Sequence, residues 1–204
     1  MPATFEVRAT FDRDTITVYQ AFSNAIADAA LEVGEFVAPF SWNRMSWIKP
    51  SFLWLMERSN WGKKSGQERI LAIKMTHAGW NEALSLAVLT HPEPKIWPDA
   101  DIWRTALETA QVHCQWDPER SIRGAAQSHY SIQIGLSRHI LHRYTDEWVV
   151  GIEDKTPLVK KIDSLLRSGK GTEASRLLPS ERIYPVEAET AYRLGMAGRD
   201  VKRL

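Results

Sequence analysis

Residues 41–64 constrain the fold most tightly. They hold Trp42, Trp47, Trp54 and Trp61, interleaved with Arg44, Lys49, Arg58, Lys63 and Lys64. Pro50 has a fixed φ and no N–H, which suits the first turn of a helix. The run 51–60 has no glycine or proline and predicts a helix. Phe52, Leu55 and Met56 recur at spacings of three and four and face the core, while Trp54, Arg58 and Trp61 share a neighbouring face. Gly62 stands where a left-handed cap is expected. Residues 44–48 alternate in character and predict a short strand feeding that helix. Lys49, Pro50 and Ser51 then lie at a strand-to-helix junction. The first N–H groups of a helix lack internal partners and carry partial positive charge, so the junction is a ready anion site.

A pocket for a phosphate or nucleotide follows from this. Arg44 and Lys49 supply charge, the helix start supplies N–H donors, and Trp47 supplies a stacking face. The opposing reading is indoles in the core with cations lying over them as solvated tips.

The rest of the chain shows an α+β pattern. Alternation predicts strands over 4–11, 15–19, 111–116 and 129–136, and apolar character predicts a central one over 68–75. Helical stripes cover 23–33, 78–89, 100–109, 137–150 and 156–169, with a short one over 186–196. Residues 121–128 are polar and glycine-bearing and predict a mobile loop. The expected architecture is a single α+β domain over 1–168, its central mixed or antiparallel sheet covered by helices and open to being split around a cleft. A polar connection and short helix over 169–204 pack on that domain, and Arg193, Arg199, Lys202 and Arg203 read as a solvated tail.

Composition narrows the chemistry. In 204 residues, 26 basic and 25 acidic groups give a net charge of +1, so any basic site is local and no whole-chain field draws in nucleic acid. Cys114 is the single cysteine, which excludes an internal disulfide and reads as an inert thiol on an apolar strand face. No leader or membrane-spanning run is evident, so the expectation is a cytoplasmic protein with no membrane partner. His139 and His142 are spaced for joint metal ligation, yet no zinc-type motif accompanies them, and no metal is expected. The common phosphate-loop, dinucleotide, nucleophile-elbow and metalloprotease motifs are absent. Asp117, Glu119 and Arg120 form a charged turn at a strand end, either salt-bridged or offering a carboxylate to a ribose or as a general base. Gln133, polar on an apolar strand, needs partners if buried.

Four stretches, 18–22, 44–54, 115–120 and 131–136, together resemble the domain-of-unknown-function 4291 family. The resemblance runs from about residue 6 to 165 and implies a free-standing single domain. Its motifs fall on Tyr19, Gln20, Arg44, Trp47, Lys49, Ser51, Glu119, Arg120 and Gln133, which implies one convergent site. The order of elements is also similar to the ADP-ribosyltransferase layout, in which nicotinamide adenine dinucleotide (NAD) lies in a cleft between two small sheets. That similarity implies Arg8 or Gln20 holding the dinucleotide, Trp47 or Tyr19 stacking on the nicotinamide, and Glu119 or Gln133 fixing the ribose. The acidic transfer motif usual in that layout does not stand out here.

The functional expectation is a nucleotide-binding transferase of the ADP-ribosyl type, using NAD with a nucleic-acid or protein acceptor. Glu119 and Gln133 are the catalytic candidates. Arg8, Tyr19, Gln20, Arg44, Trp47, Lys49, Ser51 and Arg120 are the binding candidates. The alternative is a non-catalytic binder of single-stranded RNA or DNA through tryptophan stacking and local cations. Oligomeric state is not legible in the sequence.

Overall fold

A computed structural model describes residues 4–196. The elements in chain order are β1 (Thr4–Phe5), β2 (Arg8–Ala9), β3 (Thr15–Phe22), α1 (Asn24–Val33), β4 (Ser46–Ile48) and α2 (Phe52–Ser59). There follow β5 (Arg69–Thr76), α3 (His77–Leu86), β6 (Ala87–Leu89), α4 (Ala100–Thr109), β7 (Val112–Arg120) and β8 (Ala126–Leu136). The last part has α5 (Leu141–Arg143), a π-turn (Tyr144–Trp148), β9 (Val149–Asp154), α6 (Thr156–Arg167), α7 (Gly171–Arg176), β10 (Arg182–Ile183) and α8 (Ala188–Arg193). This is an α+β fold. Among the described residues no helix is long and apolar enough to cross a membrane.

The strands form two main sheets. In the first, β8 pairs antiparallel with β7 along one side, β6 runs parallel to β7, and β1 and β4 share the other side of β8. In the second, β3, β5 and β9 are antiparallel in that order. A small ribbon of β2 and β10 accompanies them. The main sheets touch where Tyr19 and Lys49 exchange backbone hydrogen bonds, Tyr19 N–H to Lys49 O at 2.6 Å and Lys49 N–H to Tyr19 O at 3.2 Å. The cleft described below opens beside this bridge.

Alternation along β3 explains the layering. Ile16, Val18 and Phe22 enter a core shared with Ile48, Ile134, Leu136 and Trp80. Tyr19 points the other way, into a second core with Phe52, Leu55, Met56, Val159 and Ile162. β5 is used on both faces, Leu71, Ile73 and Met75 on one and Ile70 and Ala72 on the other. A strand covered on both sides carries the near-continuous apolar run seen at 70–73.

Several elements depart from expectation. The alternation over 4–11 sets burial, with Val7 and Ala9 fully enclosed, but not pairing: β1 joins β8 and β2 joins β10. Helix α3 stops at Leu86, and Ala87–Leu89 becomes a strand beside β7. The expected mobile loop over 121–128 is mostly hairpin, closed by Gly124 N–H to Ser121 O at 2.9 Å, with β8 starting at Ala126. The expected helix over 137–150 shrinks to α5 and the π-turn. Val149, Val150 and Gly151 are poor helix formers, and they supply β9, the edge partner of β5. The polar connection after Gly169 contains α7 and β10, and Tyr184 and Leu194 are buried in the first core. Arg199, Lys202 and Arg203 lie outside the described residues.

Candidate functional site

A cleft of about 530 Å³ opens between the end of β3, the β4–α2 junction and the paired strands β7 and β8. Each wall follows from local sequence. The β3–β4 gap is spanned by Gln20, which alternation turns away from Tyr19. Gln20 Nε2 donates to Ser46 Oγ at 2.7 Å and to Trp47 O at 3.2 Å, and its Oε1 accepts from Tyr144 Oη at 2.8 Å. A buried amide so fully used fixes the spacing of the two strands. Trp47 packs its ring on the backbone of β8 at Gly135. An added Cβ there would lie 2.9 Å from the indole and 3.0 Å from Met45 Sδ, so the position needs glycine for close approach.

α2 presents Trp54 and Arg58 to the cleft, one turn apart on one face. The indole N–H of Trp54 is buried and has no hydrogen-bond partner. Arg44 and Arg58 are both exposed at the cleft, and neither has a carboxylate within ion-pair distance among the described residues.

Lys49 is the unusual group. It is only 6% exposed, borders the cleft, and makes no hydrogen bond or ion pair through its ammonium among the described residues. Its Nζ lies 5.9 Å from the centre of the Trp54 ring, at the edge of cation–π range. Burial, aided by the Arg58 cation, pushes its pKa down to about 8, while Asp117 pulls the other way. A buried charge without a partner is costly to a fold, and strongly perturbed titratable groups gather at functional sites, so Lys49 is a candidate binding residue.

The opposite wall is a hydrogen-bonded row. Gln115 and Gln133 face each other across β7 and β8. Both turn their amides to Asp117, Gln115 Nε2 to Oδ1 at 3.0 Å and Gln133 Nε2 to Oδ2 at 2.8 Å. Asp117 is the single carboxylate lining the cleft, against three cations.

Five of the residues singled out from sequence therefore border one cleft: Gln20, Arg44, Trp47, Lys49 and Gln133. Five do not. Tyr19 is buried against Phe52, ring centres 5.4 Å apart, and burial, with Glu181 adding to it, pushes its hydroxyl pKa up. Arg8 is held by Glu6 at 2.9 Å on the β2–β10 ribbon. Ser51 caps its own helix, accepting from Trp54 N–H at 3.1 Å. Arg120 bonds Gly124 O at 3.3 Å within the hairpin. Glu119 is buried at a β-bulge, where its carboxylate accepts the Arg120 N–H at 2.7 Å.

The helix N-terminus expected to bind an anion is filled from within. Phe52 N–H donates to Glu181 Oε1 at 2.7 Å. Burial pushes Glu181 up to about 8; the Phe52 N–H opposes this, and nearby Glu119 adds to it. Nothing in the sequence of α2 signals a residue 129 positions away, so this filling was not legible.

Gln115, Trp54 and Arg58 were not among the sequence candidates for the site, and Asp117 entered only as a member of the charged turn with Glu119 and Arg120. The signal for Gln115 and Asp117 was the same strand alternation that singled out Gln133. Arg58 and Trp54 already shared a helix face. Among the described residues no three metal-ligating side chains cluster.

No curated protein matches the chain. The sequence model of a family described as a domain of unknown function, DUF4291, matches residues 6–184, a span that takes in every side chain of the cleft, and the chain belongs to that family.

Proposed function

We propose that the cleft binds a phosphorylated nucleotide and that the protein is a nucleotide-using transferase, with ADP-ribosyl transfer from NAD as its specific form. The observation that carries the reading is Lys49: enclosed, unpartnered, and open to a cleft with two further free cations. A phosphate or pyrophosphate supplies the missing charge, and Arg44, Arg58 and the unpaired Trp54 N–H add donors around it. The cleft volume falls in the range of small-ligand sites. Trp47 offers an aromatic surface to a base or nicotinamide ring.

Transfer from NAD needs the bond from ribose C1′ to the pyridinium nitrogen to break, its electron pair going to nitrogen so that nicotinamide leaves neutral. Positive charge then develops on the ribose, and the Asp117 carboxylate is the cleft group suited to face it. A nucleophile on the acceptor forms the new bond to C1′ and gives its proton to water. Positioning and electrostatics supply the rate.

The single-strand-binding alternative needs stacking platforms that bases can reach. None of the nine tryptophans is exposed. Trp42, for example, donates to Thr145 Oγ1 at 3.1 Å and stacks on His142. This favours a cleft ligand over an open strand.

Titration calorimetry with NAD and with ATP tests the reading. The expected result is saturable binding by the wild type and loss of most of it in Lys49→Ala. No heat from either nucleotide, or equal binding by Lys49→Ala, overturns it.

A further inference from the structure

The anion-binding wall of the cleft says nothing about the sugar, but the opposite wall does. We infer that the cleft selects ribonucleotides over 2′-deoxynucleotides, the Asp117 carboxylate receiving the vicinal 2′ and 3′ hydroxyls of the sugar. The inference rests on the nucleotide reading above and adds to it the class of sugar.

The argument starts from how Asp117 is held. A lone aspartate on a strand can rotate. Here each oxygen is pinned by a different amide, Gln115 at 3.0 Å and Gln133 at 2.8 Å, from two adjacent strands. The carboxylate plane is therefore fixed before any ligand arrives, which lowers the cost of binding. Each oxygen has acceptor capacity left after one hydrogen bond. A cis-diol presents two hydroxyl donors at a spacing that suits the two oxygens of one carboxylate.

Charge points the same way. A site for phosphate alone gains nothing from a carboxylate, which repels the anion. The three cations and one carboxylate of this cleft suit a ligand with an anionic end and a hydroxyl-bearing end. Ser131, register partner of Asp117 on β8, is 4% exposed and leaves its hydroxyl without a partner.

Rejection of a ligand that lacks the hydroxyl is strong when a site is built to bond it, because the site's own polar group is left unpaired. The test is calorimetric titration of wild type with ATP and GTP and with their 2′-deoxy counterparts under one buffer. The expected result is that each ribonucleotide binds about 10-fold or more tightly than its deoxy form. In Asp117→Asn, which keeps the shape and loses one acceptor oxygen and the charge, the gap should shrink severalfold. Equal affinity of ribo and deoxy forms in the wild type overturns this inference and leaves the nucleotide reading standing. Absence of binding by all four overturns this inference, and overturns the nucleotide reading with it if NAD also gives no heat.

Discussion

The two ends of the β4–α2 junction were equally suited to an anion, and the protein treats them in opposite ways. At the first N–H of α2 the chain installs its own carboxyl group, that of Glu181, 2.7 Å from Phe52 N. Three residues earlier, at Lys49, it installs nothing, although the residue is only 6% exposed where it borders the cleft. A helix start becomes a site only if nothing in the fold fills it first. A buried cation left without a partner is the stronger signal, because its cost is borne by the unliganded protein.

The contrast is sharpest in binding. Lys49→Ala should weaken nucleotide affinity by about 30-fold, the scale of one charge-assisted hydrogen bond, whereas Glu181→Ala should change it less than about 3-fold. Calorimetry on both variants checks this, and similar losses from the two would erase the distinction.

Stability should show the reverse order. Glu181→Ala leaves the Phe52 N–H without its acceptor and should cost about 1–2 kcal/mol in a denaturant melt. Lys49→Met removes an enclosed charge that no protein group balances, so the unliganded variant should melt at the same denaturant concentration as the wild type or higher. A clear loss of stability in Lys49→Met would make that lysine structural.

The pH dependence separates the two groups again, with opposite slopes. Glu181 has its pKa raised from 4.5 to about 8, so the folded state holds a proton that the unfolded chain releases. Its contribution is complete below 4.5 and is lost as pH rises toward 8. Lys49 has its pKa lowered from 10.5 to about 8, so the folded state releases a proton that the unfolded chain keeps. Its penalty is complete below 8 and fades as pH rises to 10.5. Melts across pH should show the first slope vanish in Glu181→Gln and the second vanish in Lys49→Met.

The smallest effect belongs to Trp54→Phe. It deletes an N–H that has no partner in the unliganded protein, so stability should hold while affinity falls about 5-fold. An equal drop in stability would show that the indole N–H already has a use in the fold.

Local pattern and long-range filling account for what was legible in the sequence. Alternation marked β3 and β8, and the two periodicities meeting at Pro50 marked the β4–α2 junction. That was enough to bring Gln20, Trp47, Lys49 and Gln133 forward. It could not tell Tyr19 from Gln20, since neighbours on a strand face opposite ways and either side can be a core. Nor could it tell Asp117 from Glu119. The bulge near Pro118 breaks the alternation, so Asp117 borders the cleft and Glu119 lies buried outside it. The split of residues 4–11 between two sheets and the passage of Val149 and Val150, the end of the helix expected over 137–150, into edge strand β9 are choices of partner. Such choices depend on strands distant in the chain, which no local window contains.

The central claim is that Lys49 lacks a partner because a ligand phosphate is its partner. Isotope-detected NMR titration of the Lys49 side chain, with and without saturating ATP or NAD, tests it directly. The account predicts titration near 8 in the free protein and a return toward 10.5 when the nucleotide is bound. An unchanged titration midpoint under saturating nucleotide would contradict it.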